Sequence, residues 1–565
     1  MINKSSTTPI AVIGMACWYP DARNPRQLWE NILARRRQFR QLPDQRFPIA
    51  DYYHANGSES DKTYLSRAAV IDGFIFNWAS RRIPYTTFQN TDIVHWLALE
   101  TAIEAITDAG YSQDDLPGEH MGVIVGNSLT GEMTRSNTMR LRWPYIQRAF
   151  RAAAKSRNLS DNQAAEIETA LKDYYKSVFP SVNEDTLAGG LSNTIAGRIC
   201  NFLDLCGGGY TVDGACSSSL IAVATAATGL MNKDLNLAIA GGVDISLDPF
   251  ELVGFARTGA LTKNDMTVYD RRASGFIPGE GCGFVVLKRL DDARRDKDNI
   301  YAILHGWGIS SDGKRTGITA PNATGQARVL KRAYARAPYG IEDLNFLEGH
   351  GTGTAIGDRV ELEGIALAMK DAQVSQKKSE RFCGITSLKS IIGHTKAASG
   401  AGGFIKAVMG VNRRILPPTA ACRDPHPLFN TLAHSIYPIL QGEQRKPTEI
   451  LRAGVSAMGF GGINCHITLE SGNPPSELLD PSMDERSMMV SNQETEIFVL
   501  TAETMDELYK KVNDLIKISK GISIAELTDL AAKLGHEAYR KACIRSAVIA
   551  GQPDELTKLL EQLAL

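Results

Sequence analysis

The sequence predicts an α/β layered fold, and three observations carry that expectation. Short apolar segments bounded by glycine alternate with longer helical stretches along the chain. Of 565 residues, 43% are hydrophobic, enough for a large core and, by length, about two to four domains. An internal echo points to duplication. A helix, a loop with Asp115-Leu116 and a strand ending at Gly126 recur as a helix, a loop with Asp343-Leu344 and a strand ending at Gly349.

Taken in order, Ile10 to Cys17 is an apolar run too short to span a bilayer. Trp18, Tyr19 and Pro20 follow it where a signal peptide would need small residues, so it reads as a buried strand. A helix is expected over Ile93 to Ala109, with strands at Val123 to Gly126, Leu237 to Gly241 and Phe284 to Leu287. Another helix precedes Pro338, a strand covers Leu344 to Glu348, a further helix follows Arg359, and Gly403 to Val411 continues the alternation. From Ser471 to Glu494 the composition turns to Pro, Ser, Met and acidic residues and reads as a connection. Beyond it, strands at Ile497 to Leu500 and Ile544 to Ile549 alternate with helices at Met505 to Ile518, Ile524 to Leu534 and Pro553 to Leu563. This tail reads as a small α/β unit ending at Leu565 on a helix, as a piece of a longer protein would.

Composition excludes several classes. Lys and Arg number 62 against 63 Asp and Glu, which leaves no cationic surplus for nucleic acid as a main partner. The nine cysteines are scattered, without Cys-x-x-Cys or Cys-His spacing, which argues against a disulfide scaffold or zinc site and for a reducing cytoplasm. Gly308, Gly313 and Lys314 resemble a phosphate loop, but Arg315 stands where Ser or Thr is required. Neither Gly-x-Ser-x-Gly nor Gly-x-Gly-x-x-Gly occurs, so serine hydrolysis and dinucleotide chemistry drop out.

The 50 glycines, above the usual ~7%, cluster beside groups able to do chemistry. Cys216 in Asp213-Gly214-Ala215-Cys216-Ser217 precedes an apolar helix, where free N–H groups and the helix dipole favour a thiolate nucleophile. A small buried cysteine is the bland alternative. His350 in Glu348-Gly349-His350-Gly351-Thr352-Gly353-Thr354 is displayed on a tight loop, suited to donating a hydrogen bond. A structural turn is its alternative. His394 follows Gly393, with Lys389 five residues earlier, and Gly459-Phe460-Gly461-Gly462 could present oxyanion-binding N–H groups. Together they point to acyl transfer through a thioester.

With these motifs in family order, the sequence resembles the β-ketoacyl synthases of type I polyketide and fatty acid synthases, in the thiolase-like superfamily. The resemblance implies a thiolase fold: two similar α/β halves in a five-layered α-β-α-β-α core over residues 8–472, usually as a homodimer. Residues 473–494 would connect it to a partial ketosynthase-to-acyltransferase linker domain at 495–565, with an acyltransferase expected after residue 565. It further implies Cys216 as the nucleophile, His350 and His394 as the pair driving malonyl decarboxylation, and Lys389 as support for the second histidine. The N–H groups of Cys216 and Phe460 would form the oxyanion hole. Thr352 and Thr354, with Phe276, Gly461 and Gly462, would line the pantetheine and substrate path, and Asp358 and Glu361 would be supporting carboxylates. The domain itself would bind no cofactor or metal, its substrates riding on the phosphopantetheine of an acyl carrier protein, with no nucleic-acid or membrane partner.

Modular ketosynthases usually carry Thr where this chain has Gly214, and Met-Asp-Pro-Gln-Gln-Arg where it has Gln89 to His95. With Asp61-Lys62-Thr63-Tyr64 and Ala69 to Phe74, these features resemble iterative polyene synthases, including the enediyne type. The alternatives are a modular polyketide, polyunsaturated fatty acid or glycolipid synthase, a non-elongating acyl-binding domain, and a degradative thiolase using Cys465 as its second cysteine. His95, His305, His466 and Cys282 read as structural.

Overall fold

The computed structural model describes residues 8–57, 59–314, 317–374, 381–431, 435–472, 481–491 and 493–564. The core strands are, in chain order, β1 (Ile10–Trp18), β2 (Met121–Gly126), β3 (Gly209–Val212), β4 (Leu237–Asp244), β5 (Gly281–Arg289) and β6 (Ala302–Ser311). There follow β7 (Phe346–Glu348), β8 (Cys383–Thr386), β9 (Ile436–Pro438), β10 (Arg452–Met458) and β11 (Ile463–Ser471). The main core helices are α1 (Ile93–Asp108), α2 (Asn193–Leu203), α3 (Ser218–Met231), α4 (Ala323–Tyr334), α5 (Ala355–Asp371) and α6 (Ser399–Arg413).

The strands join in the order β9-β8-β7-β10-β11-β6-β1-β5-β4-β2-β3. From β3 inward the pairings run parallel (β3 with β2), parallel (β2 with β4), antiparallel (β4 with β5) and antiparallel (β5 with β1). From β8 inward they run the same way: parallel with β7, parallel to β10, antiparallel to β11, antiparallel to β6. The halves meet where Ile10–Val12 of β1 pairs antiparallel with Ala302–Leu304 of β6. The echo in the sequence is thus a structural repeat, and short 3-10 turns at Gln113–Asp115 and Ile341–Asp343 precede the corresponding strands β2 and β7.

Three apolar clusters make the layers. One holds α1 and α2 against β2, β4 and β5, through Leu97, Ile106, Ile199, Val123 and Val286. A second holds α4 and α5 against β7 and β8, through Leu330, Leu362, Leu347 and Ile385. Between the half-sheets lies the third, with α3 and α6 packed among Ile10, Leu287, Phe346 and Ile467. This is the α-β-α-β-α sandwich that the resemblance implies. Core strands such as β4, buried along its whole length, read as continuous apolar runs because both faces are covered.

The central helices cross at van der Waals distance near their N-termini. A Cβ on Gly400 would sit 2.8 Å from Leu220 N; beside the crossing, a Cβ on Gly126, at the end of β2, would overlap the backbone of Ser219 in α3. Across the helix crossing Ala401 N–H donates to Ser219 Oγ at 2.9 Å.

The segment expected as connection holds a helix, α7 (Met483–Val490). Ser482 and Glu485 form a capping box, Met489 is buried, and Trp29 Nε1 donates to Glu485 Oε1 at 3.0 Å. So short a helix is fixed by its cap and by contacts with the core rather than by periodicity. Residues 473–480 of that segment lie outside the described residues. The tail pairs β12 (Glu496–Ala502) with β13 (Ile544–Ala550) and adds α8 (Met505–Ser519), α9 (Ile524–Glu537) and α10 (Pro553–Leu563) over a core of Phe498, Leu500, Val512 and Leu560. It docks on the main body where Arg40 bridges Asp21 (2.5 Å) and Glu526 (3.0 Å). The helices Glu132–Leu141, Trp143–Ser156 and Asp161–Ser177, between β2 and α2, are an excursion that the sequence pattern did not announce.

The packing of β2 on α3 yields a test: Gly126→Val, at the end of β2, forces a branched side chain into the Ser219 backbone. It is expected to cost about 1–3 kcal/mol or more, read as a lower denaturant midpoint at unchanged slope.

Candidate active site

Cys216 sits in the one-turn 3-10 segment Ala215–Ser217 that joins β3 to α3. The turn is tight: Ala215 has φ +50°, Gly214 N–H donates to Ser218 Oγ at 2.9 Å, and Ser217 Oγ donates to Gly214 O at 2.7 Å. Gly459, in the β10–β11 loop, packs so closely on Gly214 O that no side chain fits there. That approach sets the Phe460 and Cys216 main-chain N–H groups against the sulfur. Burial raises the thiol above its ordinary value, while the Phe460 N–H and the Lys389 charge pull it down and Asp244 pushes it up. Desolvation therefore outweighs the two N–H groups and the lysine charge, and the thiol lies above its ordinary value where the sequence led us to expect a lowered one.

The histidines come from the second half and face each other, ring centroids 5.8 Å apart at 85°. His350 leaves β7 on a loop held by Glu361, whose Oε1 and Oε2 accept the N–H groups of His350 (2.6 Å) and Gly351 (2.8 Å). Met458 N–H donates to His350 Nδ1 at 3.2 Å. Gly393, with φ +68°, turns the chain so that His394 N–H reaches Ile277 O at 2.8 Å. Lys396 N–H donates to His394 Nδ1 at 3.1 Å. In both rings Nδ1 is thus an acceptor, and the proton belongs on Nε2. Burial, then the Lys389 charge, holds both imidazoles well below their usual range, so both are neutral donors at neutral pH. The edge of Phe276 packs on His394, centroids 4.9 Å apart.

Buried charges brace this pair. Asp358 accepts the N–H groups of Tyr269 (2.7 Å) and Gly353 (3.0 Å), and burial pushes its carboxyl up to about 7. Tyr269 OH donates to Glu361 Oε2 at 3.0 Å. Lys389 is buried behind the site, and burial lowers it against the pull of Glu348 and Glu361. Sequence reasoning missed two pairings. Lys406, inside the apolar run of α6, meets Glu348 at 3.0 Å. Lys396 meets Asp244 at 2.9 Å and Glu251 at 3.2 Å. A lysine in an otherwise apolar helix is the local signal that could have flagged the first.

A cavity of about 500 Å³ joins these groups. Cys216, His350, His394, Phe276, Thr352, Thr354, Glu361 and Phe460 line it. Thr352 and Thr354 share a hydrogen bond of 2.9 Å, and Thr354 caps α5. Lys389 and Asp358 stand behind the wall, and Gly461 and Gly462 form the β10–β11 turn outside it, with φ +106° and +89°. A larger cleft of about 1150 Å³ lies between the core and the tail, but its wall contains none of Cys216, His350 or His394.

Other candidates fall away. Cys465 is buried in β11 and absent from the cavity wall, its thiol raised by burial. His466 is held between Ser456 Oγ (2.8 Å) and Tyr334 OH (3.1 Å). His95 is buried in α1 and Cys282 in β5. Gly308 lies within β6 rather than in a loop, and Arg315 falls outside the described residues.

Comparison with known proteins gives the same picture. Residues 7–293 match the family model "Beta-ketoacyl synthase, N-terminal domain", and residues 301–423 match its C-terminal domain. Polyketide synthase PksL of Bacillus subtilis is 31% identical over 98% of this chain and 11% of its own length. A polyunsaturated fatty acid synthase component of Thraustochytrium is 31% identical over 84% of the chain and 17% of its own. The chain therefore spans only a small part of these relatives. The ketosynthase from module 6 of the Bacillus subtilis bacillaene synthase superposes with a TM-score of 0.68 at 29% identity, over 98% of this chain and 85% of that one. The Streptomyces albus oxazolomycin ketosynthase domain shares the fold, with a TM-score of 0.71 at 23% identity over 99% and 88%. With both family models matched and the cysteine and two histidines gathered in one cavity, the chain belongs to the β-ketoacyl synthase family of condensing acyltransferases.

Proposed function

We propose that this chain joins acyl units by decarboxylative Claisen condensation, as the ketosynthase of a polyketide synthase. Cys216 attacks an acyl thioester on the phosphopantetheine of a carrier protein, forming the new thioester as the carrier thiol leaves with the proton. A malonyl thioester then loses carbon dioxide, and the charge that develops on its oxygen is met by the Nε2–H groups of His350 and His394. The enolate carbon attacks the Cys216-bound carbonyl, whose oxyanion rests on the Phe460 and Cys216 N–H groups, and the sulfur leaves. Donors aimed where charge develops lower the barrier more than they stabilise the ground state. The observation that carries this reading is the shared tautomer: both rings present Nε2–H because a main-chain amide occupies each Nδ1.

Several finer assignments belong to the proposal. Residues 8–472 form the catalytic domain, 473–494 the connection and 495–565 part of a linker toward an acyltransferase. Thr352 and Thr354 hold the arm. A cytoplasmic setting fits nine cysteines that are all free, and no helix among the described residues is long and apolar enough to cross a membrane. A homodimer is supported by β3, the last strand at one end of the sheet, with Tyr210 45% exposed. Such an edge is a template for a second copy. Iterative polyene use, including the enediyne type, is supported by the resemblance at Asp61 to Tyr64 and Ala69 to Phe74. In the structure Ala69 bridges Gly279 and Ile71 N–H donates to Glu280, one residue further on, at 2.9 Å. The segment from Ala69 therefore braces the chain at Gly279 and Glu280, between Phe276 and β5.

Incubation with an acyl thioester should add the acyl mass to the Cys216 peptide and to no other, and Cys216→Ala should abolish it. An unmodified Cys216 in folded protein would overturn the reading. In the same samples, His350→Ala should slow carbon dioxide release from a malonyl thioester on the order of a hundredfold. Because burial and the Lys389 charge hold both imidazoles well below their usual range, release by the unaltered enzyme should show no loss of activity centred on the ordinary histidine range, and protonation of the histidines should cost activity only in stronger acid. Sedimentation should give twice the chain mass, reduced to one by Tyr210→Glu if β3 is the contact. Products of the reconstituted synthase should be one long polyene; release after a single extension would rule out iteration.

A further inference from the structure

Gln326 lies in the cavity wall with Cys216, His350 and His394, and the condensation above gives it no task. It stands in the first turn of α4 and is 3% exposed. Its main-chain N–H donates to Asn322 O at 3.0 Å, so the helix fixes where the side chain starts. Its Oε1 is buried and accepts no hydrogen bond among the described residues. Gly364 of α5 makes room for it: a Cβ there would lie 3.1 Å from Gln326 Cβ and 3.3 Å from its Oε1.

The polar neighbours are engaged elsewhere. Asn464 Nδ2 donates to Asp312 Oδ1 at 2.6 Å, Asn322 Nδ2 donates to Asp312 O at 3.1 Å, and Thr352 and Thr354 bond each other. A buried acceptor without a partner is uncommon and calls for an explanation, of which a missing ligand is one. Since no bond holds that oxygen, the amide can turn toward a donor entering the cavity without losing a hydrogen bond.

The chemistry of the substrate selects the donor. A thioester, a β-keto group and a hydrocarbon chain offer acceptors or nothing. The N–H donors that reach the cavity are the secondary amides of the pantetheine arm. We propose that Gln326 is a positioning residue that accepts a hydrogen bond from an arm amide and so sets how deeply the thioester reaches toward Cys216. The inference rests on the ketosynthase reading above.

The test compares one short acyl group carried as a pantetheine thioester and as an amide-free ethanethiol thioester, scoring Cys216 acylation in the full chain. Gln326→Met keeps the side chain's length and removes the acceptor. It should lower kcat/KM about tenfold on the pantetheine thioester, through KM, and leave the ethanethiol thioester unchanged. Gln326→Glu, which keeps acceptor oxygens, should recover most of the loss. Equal loss on both thioesters, no loss on the pantetheine thioester, or a loss seen only with a hydroxylated acyl chain would each overturn the proposal. If Gln326→Met folds poorly, the unaltered enzyme can be given a pantetheine thioester with N-methylated amides. The same tenfold loss is expected, and full activity overturns the proposal. Failure of the unaltered enzyme to take either thioester would instead overturn the ketosynthase reading.

Discussion

The site depends on one close crossing, that of the two central helices near their N-termini. Each half of the repeat delivers its helix to the middle layer, and the two meet with backbone against backbone at Gly400 and Leu220. Cys216 precedes the first helix and His394 the second, so the distance between the proposed nucleophile and one proposed donor is set by how closely the helices approach. Ser219 Oγ, accepting Ala401 N–H, ties the crossing with a hydrogen bond in place of a side-chain stack. A methyl group on Gly400 would push the two helices, and with them Cys216 and His394, apart.

The chemistry is divided unequally between the halves. The first supplies the cysteine and the second both histidines, the carboxylates that shape their loops and the Phe460 amide. The charges beneath them are fully buried, and this arrangement persists only because each has a partner: Lys406 with Glu348, Lys396 with Asp244 and Glu251. Removing one member of such a pair leaves an uncompensated charge in low dielectric, which typically costs about 3–5 kcal/mol. These pairs stand behind the loops and do not line the cavity.

Much of this was legible in the sequence because it is local. Glycines flanking Cys216, His350 and His394 mark tight turns at strand ends, and the alternation of apolar runs marks the layers. What was not legible depends on distant partners. Lys396 reads as an ordinary charge two residues after a histidine until Asp244, on β4 of the other half, is placed beside it. Gln326 reads as a helix-surface glutamine until α5 closes over it at Gly364. The expected lowering of the Cys216 thiol considered only the adjacent helix, whereas the depth of burial is a property of the whole cavity. The connection around Met483–Val490 is a helix because Trp29, far away in sequence, meets Glu485 there.

The amides of Met458 and Lys396, each pointing at an imidazole Nδ1, carry a consequence beyond the choice of tautomer. In the proposed condensation, water around a developing enolate would have to turn its dipoles for every reaction event. Here the dipoles are oriented by main chain that is itself anchored in the sheet and in the α6 entry loop, so that orientation is completed once, when the protein folds. The work of solvent reorganisation is thereby moved out of the catalytic cycle and into the stability of the fold.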